Sequence, residues 1–138
     1  MMPNQDLTTI LLVDDEPNVL DTLEKMLTLL GYRVLKAMDV VEALDVCKRH
    51  QAEIDLVLID QIMLNITGLM VSKRLHKLYP TIKIVLMSGL NIEAIQREKD
   101  HLDFIGYLQK PFTIAELQHA LDANLAPSVD YPQVHQVG

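Results

Sequence analysis

The sequence predicts an α/β fold, a five-stranded parallel sheet, doubly wound, with helices on both faces. Three observations carry that prediction. The runs Thr9-Ile10-Leu11-Leu12-Val13, Leu56-Val57-Leu58-Ile59 and Ile82-Lys83-Ile84-Val85-Leu86-Met87 are almost continuously aliphatic, as strands buried on both faces are. Segments with apolar residues at three- and four-residue spacing separate them, so strand and helix alternate along the chain, and right-handed crossovers then cover both faces. Hydrophobic residues make up 49% of the 138 but aromatics only 4%, with no Trp, so the core is expected to be Leu, Ile, Val, Met and Ala. That length suits one domain able to bury its own core.

Residues 1–8 are polar and read as a frayed lead-in. The strand at 9–13 runs into Asp14-Asp15-Glu16, and Pro17 suits the first turn of a helix. Leu20, Leu23, Leu27 and Leu30 form the inward stripe of that helix, with Gly31 as its C-terminal cap. Tyr32 to Ala37 reads as a second, more mixed strand. Asp39-Val40-Val41-Glu42 is a capping box, opening a helix with Ala43, Leu44 and Cys47 inward. Ile54 to Asp60 is the third strand. A helix is expected from about Leu69 to Leu78, with Val71, Leu75 and Leu78 on one face and Pro80 ending it. The fourth strand, Ile82 to Met87, ends in Ser88-Gly89. Asn91 caps a weakly patterned helix carrying Ile92, Ala94 and Ile95. Asp103 to Leu108 is the fifth strand, and Thr113-Ile114-Ala115-Glu116 opens a last helix through Leu117, Leu121 and Leu125. The organisation is thus a lead-in (1–8), one domain (9–125) and a tail or linker (126–138).

The formal charge of −7, from 19 acidic and 12 basic residues, is the wrong sign for a duplex or an anionic membrane, and no Lys/Arg cluster is present. No apolar run approaches the roughly 20 residues that span a bilayer, and the start lacks a basic secretory signal. The single cysteine, Cys47, reads as a buried filler suited to a reducing compartment. The expected location is cytoplasmic. His50, His76, His101, His119 and His135 show no metal-ligand spacing.

In an open parallel sheet the functional crevice lies at the carboxyl ends of the strands. There the first strand delivers Asp14 and Asp15, the third Asp60, the fourth Ser88 and the region after the fifth Lys110. Ionised carboxylates about 5 Å apart, at an effective dielectric of about 20, would repel by roughly 3 kcal/mol per pair. A hard divalent cation relieves that cost, and an oxygen-rich site with room for water and phosphate suits Mg²⁺, with Mn²⁺ as substitute. Together with the Lys110 ammonium, such a site can neutralise a phosphoryl group transferred to Asp60.

The chain resembles the receiver domain of two-component response regulators over about residues 9–125. The marks are Val13-Asp14-Asp15-Glu16, the pattern from Asp60 to Gly68, Ser88 after the fourth strand, and Tyr107-Leu108-Gln109-Lys110-Pro111-Phe112. The Lys-Pro pair with an aromatic three residues before it is specific in combination. The resemblance implies a (βα)5 flavodoxin-like fold like that of chemotaxis regulators. It implies that Asp60 takes the phosphoryl group from a phosphohistidine on a sensor histidine kinase or phosphotransfer protein. Asp15 and Asp60 would hold Mg²⁺ directly, Asp14 directly or through water, and the Ile62 backbone carbonyl would complete the protein ligands. Ser88 and Lys110 would contact phosphoryl oxygens, and Tyr107 would be the aromatic switch. A cis peptide is expected before Pro111.

The same resemblance implies no enzyme acting on a separate substrate, but a phosphoprotein that assists its own phosphorylation and dephosphorylation. Its output would be contact with a downstream protein, or a homodimer, through the expected fourth helix, the fifth strand and the last helix, where Ile95, Lys99 and Tyr107 should change environment. It allows a stand-alone receiver or a part of a hybrid histidine kinase. One departure is Leu64, where the family usually has proline. Ile62 and Leu90, which flank the path of the hydrolytic water in the family, are both apolar, and slow self-dephosphorylation is expected.

Read singly, Asp14 and Asp15 could cap the first helix, Ser88 could be a turn residue, Tyr107 a half-buried sheet residue and Lys110 a surface lysine. Two other functions fit parts of the pattern. A haloacid-dehalogenase-type phosphatase also uses an aspartyl nucleophile after a parallel strand, but wants a second Asp where Ile62 stands. A degenerate receiver used purely for interaction would need a defect elsewhere, since all five site residues are present. A nucleotide-binding module would place glycines, not carboxylates, after the first strand.

Overall fold

The computed structural model describes residues 7–63, 66–89 and 105–125. Its strands are β1 (Thr9–Val13), β2 (Arg33–Ala37), β3 (Leu56–Asp60), β4 (Lys83–Ser88) and β5 (Ile105–Gln109). The helices among the described residues are α1 (Pro17–Leu29), α2 (Val40–His50), α3 (Gly68–Leu78) and α4 (Ile114–Leu125). All strand pairs are parallel, in the order β2-β1-β3-β4-β5. Chain direction across the sheet therefore reverses between β1 and β3, which opens a crevice at their carboxyl ends.

Side-chain alternation splits the core in two. Ile10, Leu12, Leu56, Leu58, Val85 and Met87 pack with Leu20, Leu23 and Leu27 of α1 and Leu117 and Leu121 of α4. Leu11, Val13, Val57, Ile59, Ile84 and Leu86 pack on the other face with Ala43 and Cys47 of α2 and Val71 and Leu75 of α3. Because β1 and β3 are covered on both faces, every one of their residues is buried. Each such leucine or isoleucine contributes about 2 kcal/mol through the water it sheds. The strands that deliver the acidic residues are thus buried along their whole length.

Local chemistry sets the helix ends. Gly31, at φ +97°, takes the left-handed conformation past α1. Its N–H donates to the Thr28 carbonyl and the Tyr32 N–H to the Leu27 carbonyl, each at 3.0 Å, which is the Schellman pattern. Asp39 Oδ1 accepts from the Glu42 N–H at 2.7 Å, while Glu42 Oε1 reaches back to the Met38 N–H. Thr113 and Glu116 form a reciprocal capping box at 3.0 and 2.8 Å.

Several boundaries differ from the sequence expectation. Helix α3 starts at Gly68, because Thr67 Oγ1 accepts from the Met70 N–H. Leu78, expected inward, is 55% exposed; it ends the helix, and Tyr79 beyond it packs on the core instead. In α2 Val46 is buried where Leu44 was expected, and Leu44 packs only partly on the core. Strands β2 and β3 begin at Arg33 and Leu56, later than expected. The lead-in before Leu7, Leu64, Leu90, the helix expected from Asn91 with Ile95 and Lys99, Asp103-Phe104 and the tail after Leu125 lie outside the described residues. Among the described residues no helix is long and apolar enough to cross a membrane.

Candidate functional site

Strand register brings the acidic residues to one place. Val13 pairs with Ile59, so Asp14 and Asp60 follow side by side at the ends of neighbouring strands. Asp60 pairs with Met87 and Ser88 with Gln109, so Ser88 and Lys110 come next across the sheet. Ladder hydrogen bonds run on past the strands, from the Gln61 N–H to the Met87 carbonyl and from the Lys110 N–H to the Ser88 carbonyl, both 2.8 Å. These bonds hold the site residues on sheet backbone rather than on free loops.

Asp60 is 7% exposed and its Oδ1 accepts from Lys110 Nζ at 2.7 Å. Asp14 is 1% exposed. Its Oδ1 accepts from the Glu16 N–H at 3.0 Å, and its Oδ2 is buried with no hydrogen-bond partner among the described residues. Burial pushes the Asp14 carboxyl up to about 6; the Glu16 N–H opposes this, Asp60 and Asp15 reinforce it by repulsion, and Lys110 opposes it. Asp15 is half-buried beside them. Ser88 is buried at the end of β4. The Ile62 side chain points to solvent, 58% exposed. Tyr107 lies in β5, half-buried against the α2/α3 side of the core. The Lys110–Pro111 peptide is cis, as expected. Burial pushes the Cys47 thiol up to about 11, so it stays protonated and is no nucleophile at neutral pH.

An orphaned, desolvated carboxylate oxygen beside two more carboxylates is what a hard cation would satisfy, and an all-oxygen donor set suits Mg²⁺ or Mn²⁺. Among the described residues no three acidic, His or Cys side chains form a compact ligand cage. A magnesium site does not need one, since the ion usually keeps several waters and one or two carboxylates. The site residues present fit such an ion.

Two residues to which sequence reasoning gave no separate role complete the frame. A Cβ on Gly68 would run into the Asp60 backbone carbonyl and the Leu86 side chain, so only glycine lets α3 start this close to Asp60. Gln61 links the same two elements, its side-chain Oε1 accepting from the Leu69 N–H at 2.8 Å. A glycine at a helix start was the one available signal; the glutamine carried none. Gly68→Ala is expected to cost about 1–3 kcal/mol, the usual range for forcing a group into a filled space. Urea unfolding measures this, and a variant as stable as wild type would show that α3 can back away freely.

Comparison with known proteins points one way. The family model described as the response regulator receiver domain matches residues 10–122. The sensor kinase CckA of Brucella abortus (strain 2308) is 34% identical over 109 residues, 79% of this chain but 12% of that protein. Sporulation initiation phosphotransferase F of Bacillus subtilis (strain 168) is 28% identical over 113 residues, 81% of this chain and 89% of that one. The structure of the Vibrio cholerae chemotaxis protein CheY4 superposes with a TM-score of 0.78 at 26% identity, covering 86% of this chain and 99% of that one. The chain thus spans only a small part of the sensor kinase, and half of a further relative, the response regulator GtcR of Aneurinibacillus migulanus (50%).

Proposed function

Because the chain belongs to the response regulator receiver domain family of two-component signalling, we propose that it is a phosphorylation-controlled receiver whose Asp60 accepts a phosphoryl group from a phosphohistidine donor. An Asp60 carboxylate oxygen would form the new O–P bond as the P–N bond breaks, and the donor imidazole leaves with that electron pair. Lys110, already 2.7 Å from Asp60 Oδ1, can follow the charge onto a phosphoryl oxygen. The Ser88 hydroxyl would donate to another. A Mg²⁺ ion held by Asp15, Asp60 and the Ile62 carbonyl, with Asp14 directly or through water, or Mn²⁺ in its place, would supply the remaining positive charge. The chain then assists its own phosphorylation and dephosphorylation without acting on a separate substrate.

Ser88 drawn toward the phosphoryl group would leave room for Tyr107 to turn inward and alter the surface of β5 and α4. The proposed readers of that surface are a downstream protein or a second copy in a homodimer, in the cytoplasm. The proposed donor is a sensor histidine kinase or phosphotransfer protein. A groove of about 720 Å³ opens beside Lys110, lined by Val19, Leu23 and Met26 of α1 and by Pro111 and Phe112. Neither a nucleic acid nor a membrane is proposed as a direct partner. A haloacid-dehalogenase-type phosphatase is disfavoured, because the solvent-facing, aliphatic Ile62 cannot serve as its acid/base.

The observation that carries the proposal is the Lys110–Asp60 ion pair beside Asp14 Oδ2, which has no hydrogen-bond partner among the described residues. Beryllofluoride, a phosphoryl mimic, tests it. Wild type should bind it only with Mg²⁺, Asp60→Asn not at all, and equal binding by the two proteins would end the proposal. Slow self-dephosphorylation is also proposed, since an aliphatic Ile62 cannot orient the attacking water. Ile62→Asn should shorten the acyl-phosphate lifetime about fivefold, roughly 1 kcal/mol of barrier. Decay followed after donor removal checks it, an unchanged lifetime being the contrary result.

A further inference from the structure

The segment after Asp60 lacks the proline that the receiver resemblance leads one to expect at position 64, yet both its ends are tied down. Among the described residues Gln61 makes three hydrogen bonds there. Its N–H donates to the Met87 carbonyl at 2.8 Å, its carbonyl accepts from the Gly68 N–H at 2.9 Å, and its Oε1 accepts from the Leu69 N–H at 2.8 Å. The first amides of a helix have no partner within the helix. In α3 those of Gly68 and Leu69 are taken by Gln61, and that of Met70 by Thr67 Oγ1. The cap is thus divided: Thr67 closes the helix locally, while Gln61 closes it from eight residues away in sequence, on the strand end that carries Asp60.

We infer that Gln61 is a positioning residue for the phosphoacceptor, its side chain clamping the first turn of α3 to the end of β3 and so holding Asp60 and the Ile62 carbonyl in register. Gln61 lies between those two residues, and its half-buried side chain faces the helix rather than the crevice, so it touches neither metal nor phosphoryl group. Gly68 supplies the close approach and Gln61 the attachment. Losing the attachment would let the loop and helix separate, and site geometry would loosen before the core did. The inference rests on the phosphoacceptor reading above.

Three variants separate positioning from plain stability. Gln61→Met keeps the length of the side chain but removes the acceptor, Gln61→Glu retains the acceptor, and Thr67→Ala removes the other cap of the same helix. Both Gln61→Met and Thr67→Ala should lower the urea midpoint by similar amounts, as each frees one helix amide. Only Gln61→Met should weaken beryllofluoride binding in Mg²⁺, by about tenfold, the size of one lost hydrogen bond. It should also speed hydrogen exchange of the Leu69 amide, measured by NMR without metal. Gln61→Glu should restore both. Unchanged affinity in Gln61→Met, or equal weakening in Thr67→Ala, overturns the inference while the phosphoacceptor reading stands. Failure of wild type to bind beryllofluoride overturns that reading and this inference together.

Discussion

Lys110→Ala should take up phosphoryl from a small donor about a hundredfold more slowly than wild type, the usual cost of removing one preorganised charge from a transfer site. The ammonium is held at 2.7 Å from Asp60 Oδ1, on backbone that is itself bonded to Ser88. It pays no reorganisation when charge develops on the phosphoryl oxygens, and that is why its loss is costly. The same substitution makes an opposite prediction for metal. Lys110 competes with a cation for the Asp60 carboxylate, so Mg²⁺ affinity should rise when the lysine is removed. Lys110→Arg keeps the charge but not the compact ammonium, and should recover only part of the rate. Stopped-flow uptake kinetics and calorimetric Mg²⁺ titration read the two effects. A rate within about threefold of wild type, or weakened Mg²⁺ binding, would contradict the assigned role.

Asp14→Asn is expected to stabilise the metal-free protein, against the usual outcome of altering a buried residue. The carboxyl is pushed from 3.8 to about 6 because burial opposes its charged form, more than the Glu16 N–H favours it. The folded state therefore holds this proton more tightly than the unfolded chain. Stability from this group is present below about pH 4 and is lost as pH rises through about 6, a loss of up to about 3 kcal/mol. Asparagine keeps the acceptor for Glu16 without the buried charge, so the variant should gain about 1–3 kcal/mol at neutral pH. Mg²⁺ should raise the unfolding midpoint of wild type and barely move that of the variant, since a ligand stabilises only the state that binds it. A variant less stable than wild type without divalent cations would show that Asp14 is already compensated.

Much of the scaffold was legible because parallel strands buried on both faces have little choice of residue. The aliphatic runs at 9–13 and 56–59 are two such strands, and the carboxylates that follow them had nowhere to go but the strand ends. Lys110 was legible for another reason, the Lys110-Pro111 pair with Tyr107 three residues before it, since β5 is an edge strand only partly buried. The acidic pair was not resolved by sequence: Asp14 and Asp15 are adjacent and chemically alike, yet one is buried and the other half-exposed. That difference depends on the Glu16 N–H turning back onto Asp14, which no periodicity records. Leu78 was misread because helical spacing carries no information on where the core ends. The Gln61 clamp was invisible because a side-chain acceptor meeting an amide across a loop leaves no pattern in the chain.

The central claim is that Asp60 itself carries the phosphoryl group. Borohydride reduces an aspartyl phosphate to homoserine, so protein treated with Mg²⁺ and acetyl phosphate, reduced and digested, reports the residue by peptide mass. Homoserine is expected at position 60, with none formed without Mg²⁺ and none in Asp60→Asn. Homoserine at Asp14 or Asp15, or no reduction product from wild type, would contradict it.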